Sequence, residues 1–279
     1  MFQAAPPRRS ATIKSKLIET VPDVLARIVA RKREQPLPPP SVRKEWERQA
    51  AQACAGRRDF RLALAARAPA IIAEIKKASP SRGLLTQNFD PARLAGKYEA
   101  GGAAALSVLT EEAFFQGSLA DLAVARGACR LPVLRKDFTL DDNHVTEAAA
   151  GGADAILLIA ALFDAGEIRR LIKAAADYGM AALVEIHDDR ELATALEADA
   201  GIVGVNNRDL TTFEVTLETS LRLAPQIPSG TLKVSESGIH SARDIERLRE
   251  AGYQAFLVGE HLMKSADATG ALRALLTNS

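Results

Sequence analysis

Short apolar runs recur along the chain from residue 70 onward, with little alternation between polar and apolar positions. The distance from Glu74 to Gly259 spans seven intervals of about 26 residues each. Runs without alternation are typical of parallel strands that are covered on both faces. The runs lie at 70–75, 103–109, 131–135, 154–159, 181–186, 202–206, 232–236 and 255–259. Between them lie helix-like stretches, several of which end in glycine, the usual helix stop.

Eight strand–helix units predict an α/β fold, a closed (β/α)8 TIM barrel, which typically needs ~250 residues. The alternative is a doubly wound open sheet, which has fewer strands and a GxGxxG turn after the first strand. Here the first run is followed by KKASPSRG at 76–83. We therefore expect the barrel.

The first 69 residues do not follow this rhythm. Residues 21–35 show helical spacing of apolar side chains, the prolines at 36–40 end that helix, and a second helical segment covers about 41–55. The run Arg31–Lys32–Arg33 closes the first helix. We interpret it as a solvated helix end, which the helix dipole favours, in preference to a phosphate contact.

These segments predict two parts within a single domain. Residues 1–69 would form a tail and a helical extension that covers the mouth of the barrel, and residues 70–279 would form the barrel itself. The motive for a cover is that excluding water strengthens the electrostatics of a charged site. The first ten residues are expected to be a loose tail.

The composition argues against several classes of function. The chain has 279 residues, of which 47% are hydrophobic and 25% charged, with a net charge of +1. This near-neutral balance gives no reason to expect nucleic acid or an acidic membrane as a partner. No apolar run reaches the ~20 residues of a membrane span, and no apolar segment follows the N-terminal arginines as in a signal peptide. Two cysteines are too few for a disulfide scaffold. We expect a cytoplasmic protein.

Charged and polar side chains stand where the predicted strands end. Alternate residues of an extended strand share a face, so Glu74 and Lys76 share one with Ile72. The carboxyl ends of barrel strands form the active-site face. In chain order, the strand ends carry Glu74 and Lys76, Ser107, Lys136, Glu185, Asn206, Glu236 with Ser237, and Gly259. The sequence therefore predicts a polar site at this mouth of the barrel.

Two lysines and several carboxylates in a partly closed mouth suit general acid–base catalysis. An ammonium lowers the pKa of a neighbouring carboxyl while burial raises it, and this competition can place pKa values near neutrality. No cluster of His or Cys accompanies them, so the sequence indicates neither a metal centre nor a thiol nucleophile. His187 shares the face of Glu185 one step further out, and we interpret it as a structural hydrogen-bonding residue.

The loops after the first, seventh and eighth strands have the composition of an anion site. Gly238 and Gly259 would let backbone N–H groups approach a phosphate, which such barrels often bind at this place. Ser79 of the first loop would join them. Glycines also serve in simple turns, which is the alternative interpretation.

Taken together, these motifs resemble the indole-3-glycerol phosphate synthase family. The stretch IIAEIKKASPSRG at 71–83 is similar to the family's signature around its first strand. Further similar motifs, in the family's order, are LSVLTEEAFFQGSLADL at 106–122, VLRKDF at 133–138, LVEIHD at 183–188, GVNNRDL at 204–210, VSESGI at 234–239 and LVGEHLM at 257–263. VLARIVARKRE at 24–34 resembles the family's N-terminal helix, so the resemblance covers about residues 20–265.

The resemblance implies a barrel of the ribulose-phosphate-binding type and a reaction without cofactor or metal. The substrate would be 1-(2-carboxyphenylamino)-1-deoxyribulose 5-phosphate, an anionic sugar phosphate with an aromatic carboxylate. It would close its ring, lose CO2 and water, and yield indole-3-glycerol phosphate in tryptophan biosynthesis. Ring closure and dehydration need acids near oxygen, and an anionic substrate needs cations, which fits the residues at the strand ends.

The family's residue roles carry over onto the matching positions. Lys136 would be the general acid on the ribulose carbonyl or hydroxyl, and Glu185 the proton-transfer partner for dehydration. Lys76 would hold the substrate carboxylate or itself donate a proton. The catalytic residues that position lysine and substrate would be Glu74, Asn206 and Ser237. Those implied in substrate binding are Ser79, Phe138, Arg208, Glu236, Gly238, Gly259 and Glu260. Glu260 departs from the small hydroxyl residue of some members, so its side chain should point away from the phosphate.

Two alternatives compete with this interpretation. Phosphoribosylanthranilate isomerase, which shares the fold and the type of substrate, would place a cysteine at the end of the first strand, whereas Cys54 and Cys129 lie away from the carboxyl ends of strands. A barrel kept only as a binding module would have lost the polar rim. The synthase is preferred, as a monomer, and docking to other enzymes of tryptophan synthesis is left open.

Overall fold

Eight parallel strands close into one barrel. A computed structural model describes residues 23–80 and 83–277 of the chain, so the expectation for the first ten residues lies outside the described part. The strands are β1 (Ala70–Ile75), β2 (Ala105–Leu109), β3 (Val133–Lys136), β4 (Ala155–Ile159), β5 (Ala181–Ile186), β6 (Ile202–Asn206), β7 (Leu232–Glu236) and β8 (Ala255–Val258). Each pairs with its neighbours in chain order, and β8 pairs with β1 to complete the ring. The predicted barrel is confirmed, and the open doubly wound sheet is excluded.

The strand bounds agree closely with the apolar runs. β1, β5, β6 and β7 match their predicted runs to the residue, and β8 ends one residue earlier than its run. Nearly every strand residue is buried, because the helices cover one side of the sheet and packed side chains fill the other. β1 ends at Ile75, so Lys76 follows the strand directly instead of forming its last residue.

Helices alternate with the strands around the outside of the barrel. They are α4 (Pro91–Gly101), α5 (Glu112–Phe115), α6 (Leu119–Gly127), α7 (Asp142–Ala150), α8 (Ala165–Asp177), α9 (Asp189–Glu197), α10 (Glu218–Leu223), α11 (Ala242–Glu250), α12 (Glu260–Lys264) and α13 (Ala268–Leu276). Most begin with an Asp or Ser whose side chain accepts a backbone N–H of the first turn, as Asp188 does at α9. Gly102 ends α4 at φ 96°, a left-handed conformation that glycine adopts without strain.

Three helices precede the barrel: α1 (Asp23–Glu34), α2 (Pro40–Cys54) and α3 (Phe60–Ala65). The first two were predicted, and the prolines between them both end α1 and provide Pro40 as the first residue of α2. The third helix was not predicted, because its six residues are too few to show a period. Whether the extension acts as a cover stays a prediction.

Arginines of α3 and of the turn before it bind the amino-terminal end of the barrel. Three of them, Arg57, Arg58 and Arg61, form what we call the arginine belt. Their guanidinium groups donate to backbone carbonyls just before five successive strands, β3 to β7, and to carbonyls in the last turns of α6 and α7. The acceptors are Leu131 and Arg126, Ala153 and Ala149, Tyr178, Gly201 and Gly230, at distances of 2.6 to 3.2 Å. Phe60 and Leu64 are buried beside them, so the belt and an apolar plug together close this end.

Candidate active site

A lysine between two buried carboxylates lies at the carboxyl end of the barrel. Lys136 ends β3, and its Nζ donates to Glu185 on β5 and to Oε2 of Glu236 on β7, the latter at 3.1 Å. Both carboxylates are buried. The three side chains come from alternate strands and meet across the barrel because all three point inward at the same level. Sequence spacing predicted each of them separately, and the structure shows that they form one cluster.

A second lysine–carboxylate pair stands beside the first. Lys76 Nζ lies 2.5 Å from Glu74 Oε1. Glycine makes room for both buried acids: a Cβ at position 259 would lie 2.2 Å from Glu74 Oε1, and one at position 204 would lie 2.1 Å from Glu236 Oε1. Gly259 was predicted only as a phosphate contact, and Gly204 was not predicted at all. Both glycines are required by the packing of the carboxylates.

Asn206 and Ser237 connect these groups by hydrogen bonds. Ser237 Oγ donates to Asn206 Oδ1 at 2.9 Å, and Asn206 Nδ2 donates to Glu185 Oε1 at 3.3 Å. The backbone N–H of Arg208 also donates to Asn206 Oδ1, at 3.0 Å. With two donors on its oxygen, the Asn206 amide is fixed with its N–H toward Glu185. The predicted positioning residues therefore have the geometry to orient the acid at the centre.

The two carboxyl groups around Lys136 differ widely in pKa. Burial raises the pKa of Glu185, but the ammonium of Lys136 and the imidazole of His187 outweigh it and lower that pKa to about 2. Burial raises the pKa of Glu236 more than Lys136 lowers it, and the charge of Glu185 raises it further, to about 7. Burial lowers the pKa of Lys136, yet the two carboxylates shift it upward overall. The cluster therefore contains a firmly ionised acid, a charged lysine and one carboxyl that titrates near neutrality.

We expect Glu236→Gln to stabilise the fold at alkaline pH while lowering activity. The folded chain keeps the Glu236 proton up to about pH 7, whereas the unfolded chain loses it near 4.5, so ionisation of this group costs stability as the pH rises through that window. A neutral amide avoids this cost, on the order of 3 kcal/mol for a shift of about 2.5 pKa units at 1.36 kcal/mol per unit. Thermal unfolding should show a higher Tm for the variant at pH 8 and little difference at pH 5. An equal gain at both pH values would contradict the assignment.

All of the predicted site residues line one cavity of about 420 Å³. Ser107 is the exception among the polar strand ends: it is buried, away from the cavity lining, and its Oγ has no hydrogen-bond partner within 23–80 and 83–277. The Glu260 carboxylate contacts Lys264 one turn along α12, at 2.5 Å. The geometry thus assembles the predicted residues, while their individual roles stay predictions.

The cavity also includes residues that the sequence did not single out. Val24, Leu25 and Ile28 of α1 form one wall. His240 and His261 lie near the predicted phosphate loops, with ring centroids 6.1 Å apart. The sequence could have pointed to both histidines, because His240 directly follows the predicted loop motif SGI and His261 directly follows the motif GE. For α1, the sequence analysis predicted a helical extension over the mouth of the barrel but not which of its side chains line the cavity.

One interpretation from the sequence was wrong. Lys32 is not part of a solvated helix end: its side chain is 9% exposed, and its Nζ lies 2.6 Å from the buried Asp137. It also donates to the backbone carbonyl of Phe138 at 3.3 Å. Burial raises the pKa of Asp137, but Arg135 and Lys32 outweigh it and lower that pKa to about 2. Arg31 and Arg33, by contrast, are exposed. The helix faces the barrel at every third or fourth residue, and Lys32 lies on that face.

The described residues also show whether metal-ligand groups, membrane-spanning helices or thiols accompany the site. Within the described ranges 23–80 and 83–277, no group of three His, Cys, Asp or Glu side chains is arranged to hold a metal ion. In the same ranges, no helix is long and apolar enough to cross a membrane. Cys54 ends α2, and Cys129 lies between α6 and β3, so neither thiol is at the carboxyl end of a strand, as predicted.

Comparison with known sequences gives a consistent result. The model of a family described as indole-3-glycerol phosphate synthase matches residues 19–275. A protein of that name from Koribacter versatilis is 47% identical over 270 residues, covering 96% of this chain and 99% of that protein. Another, from Leptothrix cholodnii, is 51% identical over 216 residues, covering 77% of this chain and 82% of that protein.

Comparison with solved structures supports the fold. Thiamine phosphate pyrophosphorylase from Pyrococcus furiosus aligns with a TM-score of 0.56 at 16% identity, covering 75% of this chain and 94% of that one. N-acetylmannosamine-6-phosphate 2-epimerase from Clostridium perfringens aligns with a TM-score of 0.56 at 17% identity, covering 71% and 89%. At these identities the likeness extends to the barrel alone.

Proposed function

The chain belongs to the indole-3-glycerol phosphate synthase family, and on that premise we propose how its residues carry out the reaction. The enzyme is a carboxy-lyase of tryptophan biosynthesis. It converts 1-(2-carboxyphenylamino)-1-deoxyribulose 5-phosphate into indole-3-glycerol phosphate, CO2 and water. The observation that supports the residue assignments best is Lys136 held between two buried carboxylates, with Lys76 and Glu74 in the same cavity.

Lys136 is the general acid for ring closure. As the aromatic carbon attacks the ribulose carbonyl, negative charge develops on the carbonyl oxygen, and an ammonium there both stabilises the charge and supplies the proton. The raised pKa keeps Lys136 protonated before substrate arrives. Lys76 binds the aromatic carboxylate, and the ion pair with Glu74 fixes where its ammonium lies.

Glu185 moves the proton in the dehydration step. Its carboxylate is ionised and accepts hydrogen bonds from Lys136 and Asn206, so it can receive a proton from the intermediate while the hydroxyl leaves. Asn206 and Ser237 hold it in place. Glu236 completes the set of polar side chains at the mouth of the barrel, and its carboxyl group, with a pKa of about 7, titrates near neutral pH.

The phosphate binds in the same cavity, at the loops that follow β7, β8 and β1. Ser237 and Gly238 have φ values of 67° and 77°, a left-handed pair of residues that turns the chain after β7, and backbone N–H groups at such a turn can bind an anion. Gly259 and Ser79 contribute from the loops after β8 and β1, while Arg208 and Phe138 bind the rest of the sugar and the aromatic ring. Glu260 contributes its backbone and directs its side chain along α12.

Helix α1 acts as a cover on this cavity. Leu25 and Ile28 are buried against it, and Arg27 stacks on the Phe114 ring at 5.8 Å. The ion pair between Lys32 and Asp137 joins the cover to the residue next to Lys136. A closed cover excludes water, which strengthens the charge interactions on the substrate.

We expect Lys32→Met to lower kcat/KM by roughly tenfold, equivalent to about 1.4 kcal/mol, with the barrel still folded. Without the ammonium, Asp137 is a buried charge with one partner fewer, and α1 is less firmly held. Arg31→Met is the matched control, since Arg31 is exposed on the same helix. Steady-state kinetics and far-UV circular dichroism provide the measurements. Equal kinetics in the two variants would argue against a cover fixed by Lys32.

The remaining proposals concern the state of the enzyme in the cell. We propose a cytoplasmic monomer that acts on a small anionic substrate and has no nucleic-acid partner, since the net charge is +1 and the cavity is completed by one chain. Light scattering during gel filtration tests the monomer. Mixing with the neighbouring pathway enzymes in the same experiment tests docking, which would appear as a shared peak.

The overall assignment is tested by one fluorescence assay. Indole-3-glycerol phosphate is fluorescent through its indole ring, so its formation from the carboxyphenylamino substrate can be followed directly. The purified chain should form product at a rate that depends on Lys136. Absence of product from folded protein would overturn the function.

A further inference from the structure

The reaction takes up one proton from water in each turnover, and this follows from the proposed function. The aromatic carboxylate is ionised at neutral pH, and its negative charge is lost when it leaves as neutral CO2. General acids supply two protons, one to the carbonyl oxygen and one to the departing hydroxyl. Only one of these returns, when a base removes a proton from the intermediate. The enzyme therefore needs a route that brings one proton to the buried cluster.

His187 lies between that cluster and a second glutamate. Its Nδ1 is 3.0 Å from Glu191 Oε2, and its Nε2 is 3.5 Å from Glu185 Oε1. The same Glu191 oxygen accepts the backbone N–H of His187 at 2.8 Å. The ring is thus fixed at its Nδ1 side, and its buried Nε2 has no hydrogen-bond partner within 23–80 and 83–277. A buried nitrogen without a partner, directed at an acid, is costly unless it has a function.

Exposure increases outward along these three side chains. Glu185 is 4% exposed, His187 14% and Glu191 16%. Water therefore reaches the outer two groups, whereas Glu185 is accessible only through the cavity or through His187. The three residues form a path of titratable groups from the surface to the acid beside Lys136, with 3.5 Å between His187 Nε2 and Glu185 Oε1 as its last step.

The charges around His187 favour its protonated form. Carboxylates face it from four elements: Glu185 on β5, Glu191 on α9, Glu236 on β7 and Asp209 in the loop after β6. Burial lowers the pKa of His187, yet Glu191, Glu185 and Glu236 outweigh it and raise that pKa above its ordinary value. An imidazolium can donate from both nitrogens, which satisfies Glu191 and Glu185 together.

We propose that His187, held by Glu191, is a positioning residue that returns the consumed proton to Glu185 after each turnover. In this step the Nε2–H bond of the imidazolium breaks and an O–H bond forms on the Glu185 carboxyl, which leaves a neutral imidazole. Nδ1 keeps its proton and its contact with Glu191, so a hydronium ion from the solvent protonates the vacant Nε2 and leaves as water. Lys136 has given up its proton in the turnover, so its charge no longer lowers the pKa of Glu185. Glu185 passes the proton to the neutral Lys136 amine along their hydrogen bond, and the general acid is restored.

The test uses His187→Gln and Glu191→Gln, with His144→Gln as matched control because that half-buried imidazole contacts Asp141 and lies outside the cavity. Steady-state kcat and KM, which cover many turnovers and therefore include the return of the proton, are measured from mildly acidic to alkaline pH. The single-turnover rate with enzyme in excess is the reference, because it ends before the proton is returned and should stay near the wild-type value. His187→Gln should lower kcat by at least about tenfold, the lower part of the range for proton-transfer groups. KM should change less than twofold, because the ring touches no substrate.

The pH profile separates this role from a structural one. Imidazolium is the active form, so the wild-type kcat should fall as the pH rises through the His187 pKa. Glu191→Gln removes a stabilising anion and should move that fall to lower pH, and His187→Gln should abolish it, while the control keeps the wild-type profile. An unmoved fall in Glu191→Gln, or its persistence in His187→Gln, would overturn the proposal. A wild-type enzyme that forms no indole-3-glycerol phosphate would instead overturn the proposed function.

Discussion

Lys136→Met should nearly abolish turnover while the barrel remains folded. Loss of a general acid typically costs ~10²–10⁴-fold in rate, and this lysine also stabilises the charge that develops on the substrate oxygen. Its side chain is held by two carboxylates from different strands, so no other described group can reach the same position without moving that pair. Methionine is unbranched and only one atom shorter than lysine, so the change removes the charge with little loss of packing.

The measurement is kcat for indole formation, with near-UV and far-UV circular dichroism as the test of folding. Lys44→Met is the matched control, because Lys44 is an exposed residue of α2 far from the cavity. Lys136→Met should also take up a proton at neutral pH, since Glu185 and Glu236 lose the ammonium that lies between their negative charges. Activity within a few-fold of the wild type, in a folded variant, would contradict the role of Lys136.

Glu185→Gln and Lys76→Met should fail at different stages of one reaction. Glu185 ends β5 and Lys76 follows β1, so they approach the substrate from different sides of the cavity. Glu185→Gln cannot move the proton of dehydration, so kcat should fall by about 10²-fold or more without a matching rise in KM. Such a pattern marks an interaction made in the transition state. Lys76→Met should weaken binding of the aromatic carboxylate and slow ring closure as well.

Single-turnover experiments that follow CO2 release and indole formation separately distinguish the two variants. In Glu185→Gln, CO2 release should continue while a decarboxylated intermediate accumulates. In Lys76→Met, both signals should slow together and need higher substrate. If CO2 release stalls equally in both variants, with equal loss of binding, this division of labour is wrong.

The sequence predicted the rim because strand ends can be located from local pattern alone. Each of Lys136, Glu185 and Glu236 follows a run of buried residues, and alternation assigns its face. The contacts among them depend on barrel register, which sets Gly204 of β6 opposite Val234 of β7 and Asn206 opposite Glu236. That register explains why Gly204 is glycine, and no local pattern carries the information.

The wrong interpretation of Lys32, in the N-terminal extension, has a related cause. Lys32 pairs with Asp137, 105 positions away along the chain, and a basic residue at a helix end is equally suited to solvent.

His187 was interpreted as a structural hydrogen-bonding residue, and its bonds to Glu191 agree with that interpretation. The free Nε2 directed at Glu185 became visible only when the loop after β5 was placed in three dimensions.

The arginine belt has a consequence for the order in which a newly made chain can fold. Arg61 binds the carbonyl of Gly230, which is synthesised 169 residues later. Because a chain leaves the ribosome amino-terminus first, this guanidinium has only the carbonyl of Gly201 as a native partner until the segment before β7 has emerged. Contacts of such long sequence separation form late in folding. We therefore expect α3, although translated before every strand, to dock among the last elements and to hold the barrel shut only once the seventh strand is in place.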